Sequence, residues 1–365
     1  MDSPLGSGQN CVMQDSSQDS APHNQRPLAG ARGWVITDGK AGMVVQARGV
    51  ADALGLDVEM KQVAPTGIFR IAAPWGPVNP KERLGHPGSQ FAPPWPLVAI
   101  ATGRASVPYI RALKRRAGAA IFTVILQDPR CSLRAADLIW MPAHDTRRAP
   151  NVITTPTSPH SFSQTRLAEL RRTMPAAIAA LKRPRVAVVL GGKNGVYKFT
   201  EPDDDRLGRG LQSLARLGAS FMITPSRRSH QRLVRTVDEA TRGAPRVLWD
   251  GEGENPYPQF LAHADAVVVT GDSVNMCGEA CATGKPVYVF EPSGGSAKFH
   301  RFHAALAGLG ATRPLPEAVG EWQTWSYDPL DSARTIAAEI ERRWSRRAVM
   351  LSGLTGGAQA SRPGV

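Results

Sequence analysis

From Asp265 to Glu291 the chain reads DAVVVTGDSVNMCGEACATGKPVYVFE, a pattern with few structural solutions. Ala266 to Val269 is an apolar, β-branched run, and Val287 to Phe290 is another. Between them Asp272 or Ser273 can cap a helix of about ten residues, which Gly284 and Pro286 end. On that helix Asn275 and Glu279 are four apart and share a face, while Val274, Cys277 and Cys281 lie roughly opposite, suited to packing on a sheet. A strand, a polar turn, a helix and a second strand make a parallel α/β unit. A carboxylate inside a helix that opens at a strand's carboxyl end can reach a ligand in the sheet's switch-point crevice. The helix N-terminus beside it suits a phosphate, so the unit points to a nucleotide-type ligand.

The same rhythm extends over most of the 365 residues. Trp34 to Thr37 is expected as a strand, Asp38 to Gly42 as a polar turn, Val44 to Leu54 as a helix and Val58 to Val63 as a strand. Strands are expected again at Leu97 to Ala101, Ile121 to Leu126 and Leu138 to Met141. Residues 150–165, rich in Thr, Ser and Pro, read as a crossover, followed by a helix from Gln164 to Leu181. A second series then has strands at Arg185 to Leu190, Ser220 to Thr224 and Arg246 to Trp249, with a helix from Pro202 to Leu217. Two alternating series imply two parallel sheets with helices on both faces, an α/β chain of two Rossmann-like domains facing a cleft. The expected boundaries are a disordered N-terminal tail at 1–31, an N-terminal domain at 32–160, a C-terminal domain at 161–345 and a flexible tail at 346–365. Residues 65–96 interrupt the first domain as a Pro-rich insertion carrying Ile68, Phe69, Ile71, Trp75, Phe91 and Trp95, flanked by Lys61, Arg70, Lys81 and Arg83. Such a segment either rests on a membrane, its cations at lipid headgroups, or is a disordered or self-packed loop.

A formal charge of +13 and a pI near 10.1 call for an anionic partner. No aromatic ladder interleaved with cations and no nucleic-acid motif is present, so specific nucleic-acid binding is not expected. The four cysteines form no CxxC pair and fit a reducing, cytoplasmic setting; Cys277 and Cys281 read as helix core. No run of 18 apolar residues exists to span a bilayer, and the first thirty residues lack the apolar core of a secretory signal. Peripheral attachment to the inner face of the cytoplasmic membrane stays open.

Several strand ends carry candidate chemistry. Gly191 and Gly192 follow a strand, where small residues let backbone amides approach a diphosphate, with Asn194 adjoining. Ser226, Arg227 and Arg228 follow another and can take phosphate oxygens. Asp272, Ser273 and Asn275 line the next turn, and Glu279 can accept from two ribose hydroxyls. In the first domain Asp38, Asp128 and His144 lie just beyond strands and are candidates for a general base, with Asp38 first because its Gly-rich turn opens the domain. Asp203, Asp204 and Asp205 follow Pro202 at a helix start, where capping explains them better than a metal; no metal is expected. A nicotinamide-dependent dehydrogenase or sugar epimerase fails on detail, since no GxGxxG follows the first strand and no YxxxK pair appears.

Taken together, WVITDGKAGMVVQARGVADALGL, ILQDPR, MPAHD, TPSRRS, NPY and the Asp265 to Glu291 unit resemble the family named for the plant mitochondrial fission protein of the elongated-mitochondria type, over roughly Trp34 to Trp344. The resemblance implies a GT-B-like architecture, a nucleotide-sugar donor held by the C-terminal domain as substrate rather than cofactor, and a glycolipid or polysaccharide acceptor met by the N-terminal domain. The Asp272 to Pro286 segment also resembles the donor-binding unit of the enzymes that make lipid-linked cell-wall and lipopolysaccharide sugars, which implies ribose binding by Glu279. The alternative it implies is a non-catalytic scaffold, since the plant relatives are implicated in recruiting a dynamin-like protein.

Overall fold

The computed structural model describes residues 26–359, with side chains to 352. The first lobe comprises β1 (Arg32–Thr37), α1 (Ala41–Leu54), β2 (Asp57–Gln62), α2 (Gly67–Ala72), β3 (Val98–Thr102), α3 (Val107–Ala117), β4 (Phe122–Leu126), β5 (Leu138–Pro142) and β6 (Val152–Thr155). Its six strands are all parallel, in the order β2-β1-β3-β4-β5-β6. The second lobe comprises α4 (Gln164–Arg172), α5 (Ala176–Ala179), β7 (Arg185–Leu190), α6 (Glu201–Arg216), β8 (Ser220–Pro225), α7 (Gln231–Thr241), β9 (Arg246–Leu248), α8 (Tyr257–His263), β10 (Ala266–Thr270), α9 (Val274–Cys281), β11 (Val287–Phe290), α10 (Ala297–Gly308) and β12 (Thr312–Pro314). Its sheet is also wholly parallel, ordered β12-β11-β10-β7-β8-β9. These are the two Rossmann-like domains the α/β rhythm implies.

Parallel strands covered on both faces must be apolar on both, and they are. Every residue of β3, β4 and β10 is buried. Along β7 the faces separate by the two-residue period. Ala187 and Val189 join Cys277 and Cys281 on one side, while Val186, Val188 and Leu190 join Leu207 and Leu211 of α6 on the other. The two cysteines are helix core, as their spacing implies. Asp203 closes a capping box with Thr200 and also accepts from Ser293, while Asp204 pairs with Arg232, so the acidic run caps and anchors α6.

The structure departs from the sequence reading in five places. Residues 1–25 of the expected tail lie outside the described residues, but 26–31 form turns with Leu28 fully buried beside Val35. The helix expected from Gln164 to Leu181 is two, because Pro175 cannot continue the first. Within the crossover lies a strand, β6, paired to β5. The Pro-rich insertion packs on the sheet and not only on itself: Phe91 is buried and Trp95 half-buried, and each meets Trp34 of β1 edge-on at 6.0 Å. Finally, residues from 332 to 359 form one helix, α11 (Ser332–Gln359), so helix continues through 346–359 where a flexible tail is expected. That helix leaves the second lobe and packs on the first, with Ile336, Ala337 and Ile340 buried against Ala47, Val50 and Leu54 of α1. Residues 360–365 lie outside the described residues.

Candidate functional site

In an open parallel sheet, ligands bind beyond the carboxyl ends where strand order reverses, because the connections there diverge to opposite faces. In the first lobe that point lies between β1 and β3, and in the second between β7 and β10. Asp38 and Gly103 end the first pair; Gly191 and Asp272 end the second.

The second-lobe switch point is built around Asp272, whose side chain is fully buried. Its carboxylate accepts from the Thr270 hydroxyl at 2.7 Å, the Gly192 amide at 3.2 Å and the Arg228 guanidinium at 2.8 Å. The Gly191 amide donates to Thr270 Oγ1 at 2.7 Å, and Asn194 Nδ2 donates to the Asp272 carbonyl at 3.1 Å. Both glycines are required by close approach. A Cβ at Gly191 would lie 2.0 Å from Asp272 Oδ1, and one at Gly192 would lie 2.0 Å from the Arg228 carbonyl oxygen. The two amides expected to meet a diphosphate therefore already have internal partners. Ser226 is engaged with Ser229 at the end of β8, and Arg228 is committed to Asp272, whereas Arg227 is exposed with no ion pair among the described residues.

Ser273 caps α9, its hydroxyl accepting from the Met276 amide. Asn275 turns into the space between the lobes, and Glu279 turns away from solvent. Tyr257, the first residue of α8, donates its hydroxyl to Glu279 Oε2 at 2.6 Å. Burial pushes the Glu279 carboxyl up to about 7, against the opposing pull of that bond and of Arg166. Burial and the carboxylate push the Tyr257 phenol well up, so it stays a donor.

Between the lobes is a cleft of about 500 Å³. Lys40, Gly42, Met43 and Gln46 line it from α1 and the preceding turn, Gln127, Asp128 and Arg130 from beyond β4, and His144 and Asp145 from beyond β5. The second lobe adds Val274, Asn275, Lys298 and Phe299. Gln127 Nε2 donates to Gln46 Oε1 at 2.8 Å, and Gln46 Nε2 donates to Asn275 Oδ1 at 3.3 Å, an amide chain that crosses from lobe to lobe. Lys298 and Asp145 form a second crossing, an ion pair at 2.8 Å. Gln127 and Arg130 hold left-handed backbone, with φ of 78° and 54°. Non-glycine residues in that region store strain, and such residues gather at functional sites.

Of the expected bases, Asp128 and His144 line the cleft, and Asp38 is not among the lining residues. Asp38 sits behind Lys40, its carboxylate paired with Lys40 Nζ at 2.7 Å and packed against Gly103. Asp128 is paired with Arg147 and accepts the Arg130 amide at 2.8 Å. His144 is half-buried with its ring edge-on to Phe302 at 5.8 Å. Burial first, then the charges of Lys298 and Arg301 against the opposing pull of Asp145, hold its imidazole below the usual range, so it is a neutral proton acceptor near pH 7. Sequence reasoning missed Gln46, Tyr257 and Lys298 as individual site residues. Tyr257 stood in a conspicuous Asn-Pro-Tyr turn, but neither Gln46 nor Lys298 has a local signal, since each matters through a partner in the other lobe. Among the described residues no three His, Cys, Asp or Glu side chains gather as a metal site.

Two doubly wound lobes closing on a shared cleft define the chain as a protein of GT-B-like architecture. It belongs to the Mitochondrial fission ELM1 family, whose pattern matches residues 41–344. It is 29% identical over 276 residues to the mitochondrial fission protein ELM1 of Arabidopsis thaliana, across 69% of this chain and 65% of that protein. With an uncharacterized protein of Rickettsia prowazekii it shares 30% identity over 161 residues, across 42% of this chain and 45% of that one. The chain thus spans less than two thirds of the length of either relative. Among solved structures, the glycosyltransferase SnogD from Streptomyces nogalater overlays with a TM-score of 0.48 at 17% identity, covering 90% of this chain and 100% of that one. UDP-GlcNAc 2-epimerase from Neisseria meningitidis bound to UDP-GlcNAc overlays with a TM-score of 0.46 at 10% identity, covering 89% and 100%.

Proposed function

We propose that the chain is a metal-independent glycosyltransferase that holds a nucleotide-sugar in its second lobe and presents an envelope glycolipid or polysaccharide hydroxyl from its first. The observation that carries this reading is the composition of the cleft. A neutral-leaning imidazole, His144, faces a space ringed by Lys40, Arg130 and Lys298, at the carboxyl ends of both sheets. In an inverting transfer the acceptor oxygen bonds to the anomeric carbon as the bond from that carbon to the diphosphate oxygen breaks. The acceptor's proton passes to the His144 imidazole, and the electron pair leaves with the diphosphate. Its growing charge falls to these three cations, two of which, Lys40 and Lys298, also hold carboxylate partners. Glu279, released from Tyr257 or sharing it, accepts from the ribose hydroxyls.

A second reading, a non-catalytic scaffold, is favoured by a specific observation of its own. The Gly191 and Gly192 amides and the Glu279 carboxylate all have internal partners, which a protein without a donor would also retain. Isothermal titration of UDP-, GDP-, CMP- and ADP-linked sugars separates the two. The transferase reading expects at least one donor to bind, weakened roughly tenfold or more by Glu279→Ala and by Lys298→Ala, each of which removes a charge-assisted contact. No binding by any donor, or binding indifferent to both substitutions, would give preference to the scaffold.

A further inference from the structure

One surface of the first lobe belongs to neither switch point. Between β2 and β3 the insertion buries Phe91 but turns other apolar side chains outward: Ile68 is 73% exposed, Ile71 72% and Trp75 64%. Ile68 and Ile71 are three apart on α2 and share a face, and Trp75 follows one turn later. Their backbone is held from beneath. The Arg104 guanidinium donates to the carbonyls of Arg70, Ile71 and Ala73, and Arg111 Nη1 donates to those of Pro74 and Trp75 at 2.7 and 2.8 Å. Two arginines thus fix the segment so that its apolar groups face solvent. A clustered, exposed apolar patch of this kind marks an interaction site.

Charge identifies the partner. Residues 61–116 contain nine Lys and Arg and a single acid, Glu82, whose carboxylate is taken by Tyr109 and Gln90. Arg70, Arg115 and Arg116 are exposed and make no ion pair among the described residues. An anionic bilayer takes both features at once, with the apolar side chains entering the acyl boundary and the cations meeting headgroup phosphates. We infer that the Ile68, Ile71 and Trp75 prominence and its cationic surround dock this chain on an anionic lipid surface. The groove beside Trp75 is lined by Cys131 and Arg134, on the same loop whose earlier residues Asp128 and Arg130 line the cleft. One loop thus joins the docking surface to the cleft, which suits an acceptor drawn from the lipid. That last consequence rests on the transferase reading; the docking itself does not.

The test is flotation of the full chain with vesicles of phosphatidylglycerol in phosphatidylcholine, against phosphatidylcholine alone, at low and high salt. The chain is expected to float with the anionic vesicles only, and less at high salt. The Ile71→Ser, Trp75→Ser double variant is expected to lose roughly tenfold or more in partitioning, from the apolar area withheld. The Arg115→Glu, Arg116→Glu double variant is expected to lose roughly tenfold or more through headgroup charge. All four side chains are on the surface, and unchanged urea midpoints would confirm that the variants fold. Failure to float with anionic vesicles, equal flotation with neutral ones, or flotation unaffected by either double variant would overturn the inference. So would loss by the Ile71→Ser, Trp75→Ser variant of a stoichiometric protein partner, with neither vesicle bound. Titrating a nucleotide-sugar into the same variants keeps the two proposals apart, since donor affinity does not depend on this patch.

Discussion

Each lobe places an aspartate against a glycine at its switch point, and the two pairs are embedded differently. In the second lobe Asp272 is sealed in and accepts from Thr270, Gly192 and Arg228, so that strand ends β7, β8 and β10 are tied to one carboxylate. In the first lobe Asp38 is bound mainly by Lys40, whose side chain is 73% exposed. One turn is tied by a buried carboxylate; the other is held by an ion pair with a largely solvated lysine. The buried hub sets the geometry of one switch point from within, and the solvated pair leaves the other to its surroundings.

The sharpest way to break this contrast is Asp272→Ala. It leaves a guanidinium, an amide and a buried hydroxyl without their acceptor, and is expected to destabilise the fold by on the order of 4 kcal/mol, read as a lower urea midpoint. A change no larger than that of a surface pair would show that the hub is not rigid. Next in size is Glu279→Gln. Burial raises this carboxyl in the folded chain to about 7 from an ordinary 4.5, so the folded state keeps a proton that the unfolded chain gives up between those values. The group's contribution is then greatest below about pH 4.5 and is lost as the pH rises through 7. Gln cannot titrate but still accepts from Tyr257. The variant is expected to match the parent near pH 4.5 and to exceed it by on the order of 3 kcal/mol at pH 8. Parallel stability curves for parent and variant across that range would remove the titrating carboxyl from the account. The smallest expected effect is that of Asp38→Ala, below about 1 kcal/mol, because its partner is solvated and screened. A loss comparable to that of Asp272→Ala would make the two lobes alike.

Much of the frame was legible in the chain. The β-branched runs at Ala266 to Val269 and Arg185 to Leu190 could only be buried parallel strands, and their turns fell at the carboxyl ends where ligands gather. Gly191 and Gly192 stood out too, and packing adds a reason for their size to the one their position suggests. They are small because Asp272 and the Arg228 backbone press on them, a contact over many residues that no local pattern encodes. Glu279 was singled out from helical spacing, and its partner Tyr257 was not, because the two residues meet only through the tertiary fold. Asp38 looked the best placed base by its turn; packing paired it with Lys40 and left Asp128 and His144 lining the cleft.

Strand and helix periodicity, capping and the strand-end turns were thus properties of the chain itself, because each follows from the side chains of a few neighbouring residues. Which lobe receives α11, which strand-end groups are already satisfied, and which imidazole faces the shared space were decided only in three dimensions. Those outcomes depend on contacts between distant segments and on the removal of water from them, which sets both hydrogen-bond partners and proton affinity.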